Sequence, residues 1–480
     1  MANLYLFAIG GSGSRTLRSL TMLLASGIES QYNIVPIIID PDESNGDMER
    51  TVNLLRLYED IHKSLIFDKT LKNKFFSANV TSLNNNGSYL LPLVGTSNIN
   101  FDVYLGIDSM SQENQAFTKM LFSNQNLSSN MNVGFRGNPN IGSVVLNQFT
   151  QSDYYSTFET NFVEGDKVFI ISSIFGGTGA SGFPLILKKM RSSTNTALAN
   201  APIGAVSLLP YFNLKTNEDS TIKADSFITK TKAALNYYER NVTGNNSLND
   251  MYYLGDDFSS YSYENCDGGD KQINEAHIIE LLAALSIIDF EKKKNVAGGV
   301  TTFHEFGLEK SPKPNEAIVF SDFGKNTKRI IQRPLTMMSI LNSYLNNRDK
   351  DHRLSQQWAM ERDNLLGDSF FEGDFFNNFH NFKEDFEEWQ SELAKNKIGF
   401  KPFKNDEDIK NIDGLIKVVG IKPKYAGLPG PWRKKGYDLI DQSLSENLKN
   451  VSHNLSAPVT FMELVYNTLL KICSKNLKIQ

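Results

Sequence analysis

The chain reads as an α/β protein, a parallel-sheet domain joined by a long central helix to a second α+β domain. Three observations carry that expectation. Short apolar runs alternate with segments of helical period through the first half of the chain. One apolar stretch, Gln272–Phe290, is too long for a strand. The alternation is lost after about residue 296. Alternating strands and helices imply crossover connections and hence parallel strands, because a tight turn can join only antiparallel neighbours.

Leu4–Ile9 is apolar and ends in glycines, so it reads as the first strand; no basic residues lead it, as they would a secretory leader. Thr16–Ser26 follows with Leu17, Leu20, Leu23 and Leu24 at helical spacing. Ile34–Ile39 is a second strand, closed by Asp40-Pro41-Asp42, and Asp47–Ser64 a helix with Val52, Leu55, Tyr58 and Ile61 on one face. Residues 70–132 are rich in Asn and Ser and read as an exposed, loop-rich insertion. The alternation resumes with a helix at Ile141–Asn161, a strand at Lys167–Ser172, a loop at Gly176–Gly182 and a helix at Phe183–Arg191. A strand at Ile203–Leu209, a helix at Ala224–Arg240 and a strand at Met251–Leu254 complete it. As a helix Gln272–Phe290 would be roughly 28 Å long, enough to cross a domain.

Farther on, Glu316–Phe320 reads as a strand and Asn326–Leu345 as a helix broken near Pro334. The Phe-rich stretch 365–392 has partly helical spacing, which favours a face packed on the core over a partner-binding face. Lys422–Lys435 is a proline-rich basic loop, and Pro458–Leu477 a closing helix. The expected domains are 1–270 with the insertion near 70–132, a central helix within 271–295, and 296–480 as an α+β domain with a helical extension.

Composition narrows the chemistry. Of 480 residues, 40% are hydrophobic and 21% charged, with a net charge of −5, which suits a globular protein with a sizeable core. That charge argues against a nucleic-acid binder, which needs a strongly basic surface. Two cysteines, Cys266 and Cys473, form neither a disulfide framework nor a metal motif, and the six histidines include no HxxxH pair. No apolar run is long enough to span a membrane, and a cytoplasmic location is expected.

Three glycine-rich segments sit where parallel sheets bind ligands, at the carboxyl ends of strands and the starts of helices. The first is Gly10, Gly11, Ser12, Gly13, Ser14 and Arg15, in which glycine lets backbone approach an anion and the serines add hydroxyl donors. It half-matches a dinucleotide-binding fingerprint, with Thr16 where the third glycine belongs and Asp40 placed for a ribose hydroxyl; an ordinary turn reads equally well. The second, Gly134–Gly142, contains Arg136, Gly137, Asn138 and Pro139; Arg136 could face a phosphate, and the segment equally suits a plain helix start. The third, Gly176, Gly177, Thr178, Gly179, Ala180, Ser181 and Gly182, forms an N–H nest without the GK[ST] of a Walker loop.

The order and spacing of these segments resemble the tubulin/FtsZ superfamily, FtsZ most closely, over roughly residues 1–300. Asn138-Pro139-Asn140-Ile141-Gly142 is similar to that family's NPxxG loop, and Val168–Gly182 to its strand and GGTG loop. The resemblance implies a nucleotide-binding domain that takes GTP or GDP, with Mg2+ as its companion, and that assembles head to tail into filaments. Gly10–Ser14, Gly137, Asn138 and Gly176–Gly182 would hold phosphates, with Asp40 nearby. Pro210-Tyr211-Phe212 and Glu218 would lie by the ribose, Gly255-Asp256-Asp257 by the base, and Asn274, early in the central helix, against the guanine.

The family's hydrolytic loop departs most. Asp289 and Glu291 are the candidate catalytic acids, but the expected Asn is Ile287 and the second Asp is Lys292; Asp289 also reads as a plain helix-end acid. Three functions follow as expectations: a self-assembling GTP-binding protein with hydrolysis in question, a non-hydrolysing nucleotide-bound scaffold in bacterial antiviral defence or membrane remodelling, and a dinucleotide-dependent oxidoreductase built on Gly10–Gly13 and Asp40.

Overall fold

The computed structural model describes the chain apart from residues 43, 94, 97–98, 132–133, 136, 216–224, 257–261, 264–268, 271, 295–298, 305, 310–315, 397–398, 405–416, 420–435 and 480. Six parallel strands form its main sheet: β1 (Asn3–Ile9), β2 (Asn33–Ile39), β3 (Lys167–Ser173), β4 (Ile203–Leu208), β5 (Asp250–Leu254) and β6 (Thr302–His304). Their order is β2-β1-β3-β4-β5-β6. β1 lies between neighbours on both sides, Tyr5 opposite Val35 in β2 and Val168 in β3. From Leu4 to Ile9 it is wholly buried, as a strand covered on both faces must be.

Helices that flank the sheet include α1 (Gly10–Ala25), α2 (Gly46–Lys63), α3 (Pro139–Val145), α4 (Asp153–Asn161), α5 (Gly177–Arg191), α6 (Asp225–Tyr238) and α7 (Ile278–Glu291). Two glycine segments expected as loops are first turns of helices. Glycine costs a helix about 1 kcal/mol relative to alanine, but these turns press on strands. A Cβ at Gly13 would lie 2.8 Å from the Ala8 carbonyl carbon, and one at Gly179 would lie 2.5 Å from the Ser173 oxygen.

The expected helix Ile141–Asn161 is three pieces, α3, a 3-10 turn Leu146–Gln151, and α4 restarted by Ser152, whose Oγ accepts from the Tyr155 N–H at 3.2 Å. The central helix begins at Ile278, not Gln272. His277 caps it, accepting from the Ile279 N–H through Nδ1, while the Glu280 carboxylate accepts from the His277 N–H. Of its 14 residues only Asp289 escapes burial. The insertion is less open than its composition suggests: Val80 and Leu90 bridge to β2 at Ile34 and Ile38, and Tyr89, Leu91, Phe101 and Met131 are buried. Its apolar residues follow no regular period, so composition alone hides them.

The chain forms two compact units. The first comprises Met1–Ser19, Gln31–Asn53 and Val80–Phe306; the second comprises Leu20–Ser30, Leu54–Asn79 and Gly307–Gln480. The second is largely helical, with α8 (Lys325–Asn347), α9 (Asp374–Lys395), α10 (Gly436–Leu448) and α11 (Ala457–Ile472). α8 runs unbroken through Pro334; burial of Ile331, Leu335 and Met338 on its apolar face outweighs the proline. Glu316–Phe320 makes only an isolated bridge, Ile318 to Phe400, before a 3-10 turn. The Phe-rich face of α9 is core: Phe376 and Phe379 meet Phe461 of α11, and Phe382 meets Phe76 edge-on at 4.8 Å. Lys422–Lys435 lies outside the described residues.

Phe290 joins α7 to the sheet. Its ring is fully buried, packs 5.2 Å from Phe169 of β3, and occupies the space a side chain at Gly204 would need. Phe290→Ala is expected to cost about 3–5 kcal/mol, read from the midpoint of equilibrium denaturation.

Candidate functional site

β2 joins one side of β1 and β3 the other, so successive crossovers leave β1 in opposite directions. A crevice opens at the carboxyl ends of β1 and β3 where this happens, the place where open parallel sheets bind ligands. Three glycine segments distant in sequence converge on it: Gly10, Gly11 and Ser12; Gly134, Phe135 and Gly137; and Ser173, Phe175 and Gly176 to Gly179. Asp40, Asp42 and Asn45 border it after β2, Phe212, Leu214 and Phe227 supply an apolar part, and Gln272 and Asn274 complete the wall.

Glycine is required here by space and by conformation. Gly10 has φ +75°, and a Cβ on Gly177 would lie 3.0 Å from both the Asn138 nitrogen and the Phe135 Cβ. α1 and α5 both start at the cleft, so two sets of unpaired N–H groups and two positive dipole ends meet there. Neither helix has an acidic residue in its first turn, and no side chain of Gly176 can cap α5. The cleft therefore offers N–H donors to an external anion.

Other candidate residues support the wall without lining it. Gly182 packs against Ile9, Ser14 Oγ donates to the Gly10 carbonyl at 3.4 Å, and Ser181 Oγ to the Gly177 carbonyl at 2.7 Å. The Ala180 carbonyl accepts from Tyr238 Oη, and the Asn138 N–H closes a turn on the Phe135 carbonyl at 2.7 Å. Gly13 is the packing glycine described above. Arg136, Glu218 and Asp257 lie outside the described residues. Asn274 belongs to the irregular segment before α7, not to the helix, because the His277 cap starts the helix later. Its N–H and Nδ2 both donate to the Asp47 carboxylate at 2.9 Å.

Asp289 and Glu291 sit at the other end of the sheet. Lys167 is the first residue of β3, and its Nζ donates to the Glu291 carbonyl at 3.1 Å and the Lys293 carbonyl at 2.7 Å. β3 then runs its length, roughly 20 Å, before Ser173 reaches the cleft. Asp289 accepts from Tyr252 Oη at 2.7 Å and pairs with Lys293 at 3.1 Å, and Glu291 is buried.

Sequence reasoning missed the floor of the cleft. Arg15 is buried and donates through Nε to Glu280 at 2.5 Å, through Nη1 to Asp47 at 2.7 Å, and through Nη2 to Tyr211 Oη at 2.9 Å and Ser12 Oγ at 3.3 Å. Tyr211 Oη donates to Glu280 at 2.7 Å, and burial raises its pKa strongly. The signal available was Arg15 directly after the first glycine motif; nothing local links it to acids 32 and 265 residues away. Burial, with the Arg15 charge beside it, lowers the His277 pKa to about 3, so His277 is a neutral acceptor. Burial also pushes the Asp40 carboxyl up to about 7, aided by Asp42 and Asp47 and opposed by the Asp42 N–H.

No known family's sequence model matches the chain, and no curated protein matches it in sequence. Its structure is similar to that of CetZ from Methanosaeta thermophila strain DSM 6194, at 14% identity and a TM-score of 0.27. That match covers 53% of this chain and 46% of CetZ, so this chain spans about half the length of CetZ. It is also similar to TubZ of Bacillus thuringiensis serovar israelensis in a GTPγS-form protofilament, at 11% identity and a TM-score of 0.26, covering 80% of this chain and 81% of that one.

Because the folded Asp40 holds its proton up to about pH 7, its stabilising contribution is complete below the ordinary carboxylate range and is lost as pH rises through 7. Asp40→Asn should therefore raise the melting temperature at pH 8 by about 2–4 °C and change it little at pH 4, measured by calorimetry at the two pH values.

Proposed function

We propose that this protein is a divergent member of the tubulin/FtsZ superfamily that binds GTP or GDP in the cleft and assembles head to tail. One observation carries the reading: three glycine segments and two helix starts, scattered over the chain, converge at the switch point of a parallel sheet. A di- or triphosphate matches the N–H donors there, and the apolar Phe212, Leu214 and Phe227 suit the rest of a nucleotide. Among the described residues no three His, Cys, Asp or Glu side chains gather to hold a metal, so Mg2+ would be carried chiefly by the phosphates.

The placement of Asp289 supports assembly. Since it lies a strand's length from its own cleft, it can meet phosphate only in the cleft of a neighbouring copy. A heterologous contact of that kind, repeated without closure, produces a filament. Among the described residues no helix is long and apolar enough to cross a membrane.

The bonds that Tyr252 and Lys293 make to Asp289, and the burial of Glu291, favour a second reading, a scaffold that binds nucleotide without turnover. Phosphate release measured against protein concentration separates the two. Under the first reading turnover rises steeply above the assembly concentration, and Asp289→Ala lowers it at least about tenfold with nucleotide binding intact. Under the second, filaments form with GTP and no phosphate is released.

Gly177→Val is expected to weaken GTP binding by at least about tenfold in titration calorimetry, because the added side chain meets Phe135 and the turn at Asn138. Wild-type protein that binds neither GTP nor GDP would overturn the function proposed here.

A further inference from the structure

We propose that the groove between α3, α5 and α6 is a second ligand site, built for a small organic anion with an extended apolar body, and that filling it weakens anion binding in the neighbouring cleft. The coupling rests on the nucleotide reading of the cleft; the groove site does not.

The groove is a cavity of about 470 Å³, within the range of small-molecule sites. Pro184, Leu185, Ala233, Ala234 and Tyr237 supply apolar walls. Along α5 it runs from Ala180 to Lys188, roughly 12 Å, which suits an extended chain better than a compact ion. The sequence makes its floor apolar. Pro184 has no N–H, so the Ala180 carbonyl one turn earlier lacks its helical donor, and the Tyr238 hydroxyl donates to it instead at 3.2 Å. Ser143 and Ser181 likewise donate to the carbonyls of Pro139 at 2.9 Å and Gly177 at 2.7 Å. Three hydroxyls in the groove are thus occupied by backbone.

Two ammonium groups remain. Among the described residues Lys188 and Lys230 line the groove, no Asp or Glu does, and neither lysine pairs with a carboxylate. Lys230 is half-buried, its Nζ donates to the Gly137 carbonyl at 2.8 Å, and burial lowers its pKa. A partly desolvated cation without a counter-charge is stabilised by an anion brought beside it. An ammonium has three donors, so the bond to Gly137 leaves two for a ligand. An apolar trough carrying two such cations fits an alkyl chain that ends in a carboxylate; a neutral or cationic chain leaves the lysines uncompensated.

The groove and the cleft share a wall. Phe175 and Gly176 line both, and Lys230 in the groove bonds Gly137 in the cleft. An anion on Lys230 cancels positive charge at the cleft rim and brings negative charge toward the phosphate position. The coupling is therefore unfavourable and, by linkage, the same in both directions.

The test is titration calorimetry on the full chain with decanoate, decanol and decyltrimethylammonium, and with inorganic tripolyphosphate in the presence and absence of saturating decanoate. Decanoate should bind saturably, at least about fivefold more tightly than the neutral or cationic chain. Lys188→Glu should weaken it about fivefold, and Ala234→Trp, which fills the groove, at least about tenfold. Lys188 is exposed and Ala234 half-buried, so both variants should fold, which circular dichroism checks, and both should keep wild-type affinity for tripolyphosphate. Saturating decanoate should weaken tripolyphosphate binding about fivefold, and Lys230→Met should remove that effect. No saturable binding of decanoate, or binding that Lys188→Glu and Ala234→Trp both leave unchanged, overturns the groove site. Sedimentation with phosphatidylglycerol vesicles without binding of free decanoate overturns the small-ligand occupant. Decanoate binding that leaves tripolyphosphate affinity unmoved overturns the coupling alone. A wild type that takes decanoate but neither tripolyphosphate nor GTP overturns the cleft reading and the coupling with it, and leaves the groove site standing.

Discussion

The ion pairing of Arg15 is the constraint on which the cleft depends. A guanidinium this deeply buried costs several kcal/mol unless its charge is met, and Asp47 and Glu280 meet it from the first turns of α2 and α7. A second cation, Arg50, pairs with Asp47 at 3.1 Å, and the Asn274 amide and the His277 N–H donate to the carboxylates as well. The starts of α1, α2 and α7 are therefore fixed together, and the residue that joins them lines the cleft floor.

That arrangement shapes what the cleft can bind. Arg15 is committed to protein carboxylates, Asp40 and Asp42 face the same space, and the Lys230 ammonium donates to the Gly137 carbonyl at the cleft rim at 2.8 Å. On the backbone side, glycine lets two helix starts stand close together at the cleft. Crowding accounts for several of the glycines: those facing strands let α1 and α5 settle onto the sheet, and those at Gly10 and Gly177 shape the cleft itself.

A parallel sheet also has polarity. All six strands end on one side, where the glycine segments lie, and the C-terminal end of α7 reaches the side where β3 starts. One copy consequently separates its glycine-lined cleft from Asp289 by the length of a strand.

The strands β1 to β5 were legible because they are short apolar runs, and β1, β2 and β3 lie within one residue of their expected limits; β6, three largely exposed residues, carries no such pattern and was not foreseen. The three glycine segments were legible for the same reason, being dense local patterns that a turn or a ligand demands. By itself, then, the sequence determined the parallel α/β sheet and its glycine-rich strand ends. It did not determine the start of α7, because the His277 cap competes with an apolar pattern that begins earlier. Nor did it reveal the Arg15 network, whose longest link joins residues 265 apart. Only the tertiary structure decided those, since a helix cap or a buried charge is defined by neighbours that an apolar pattern or chain order does not bring together.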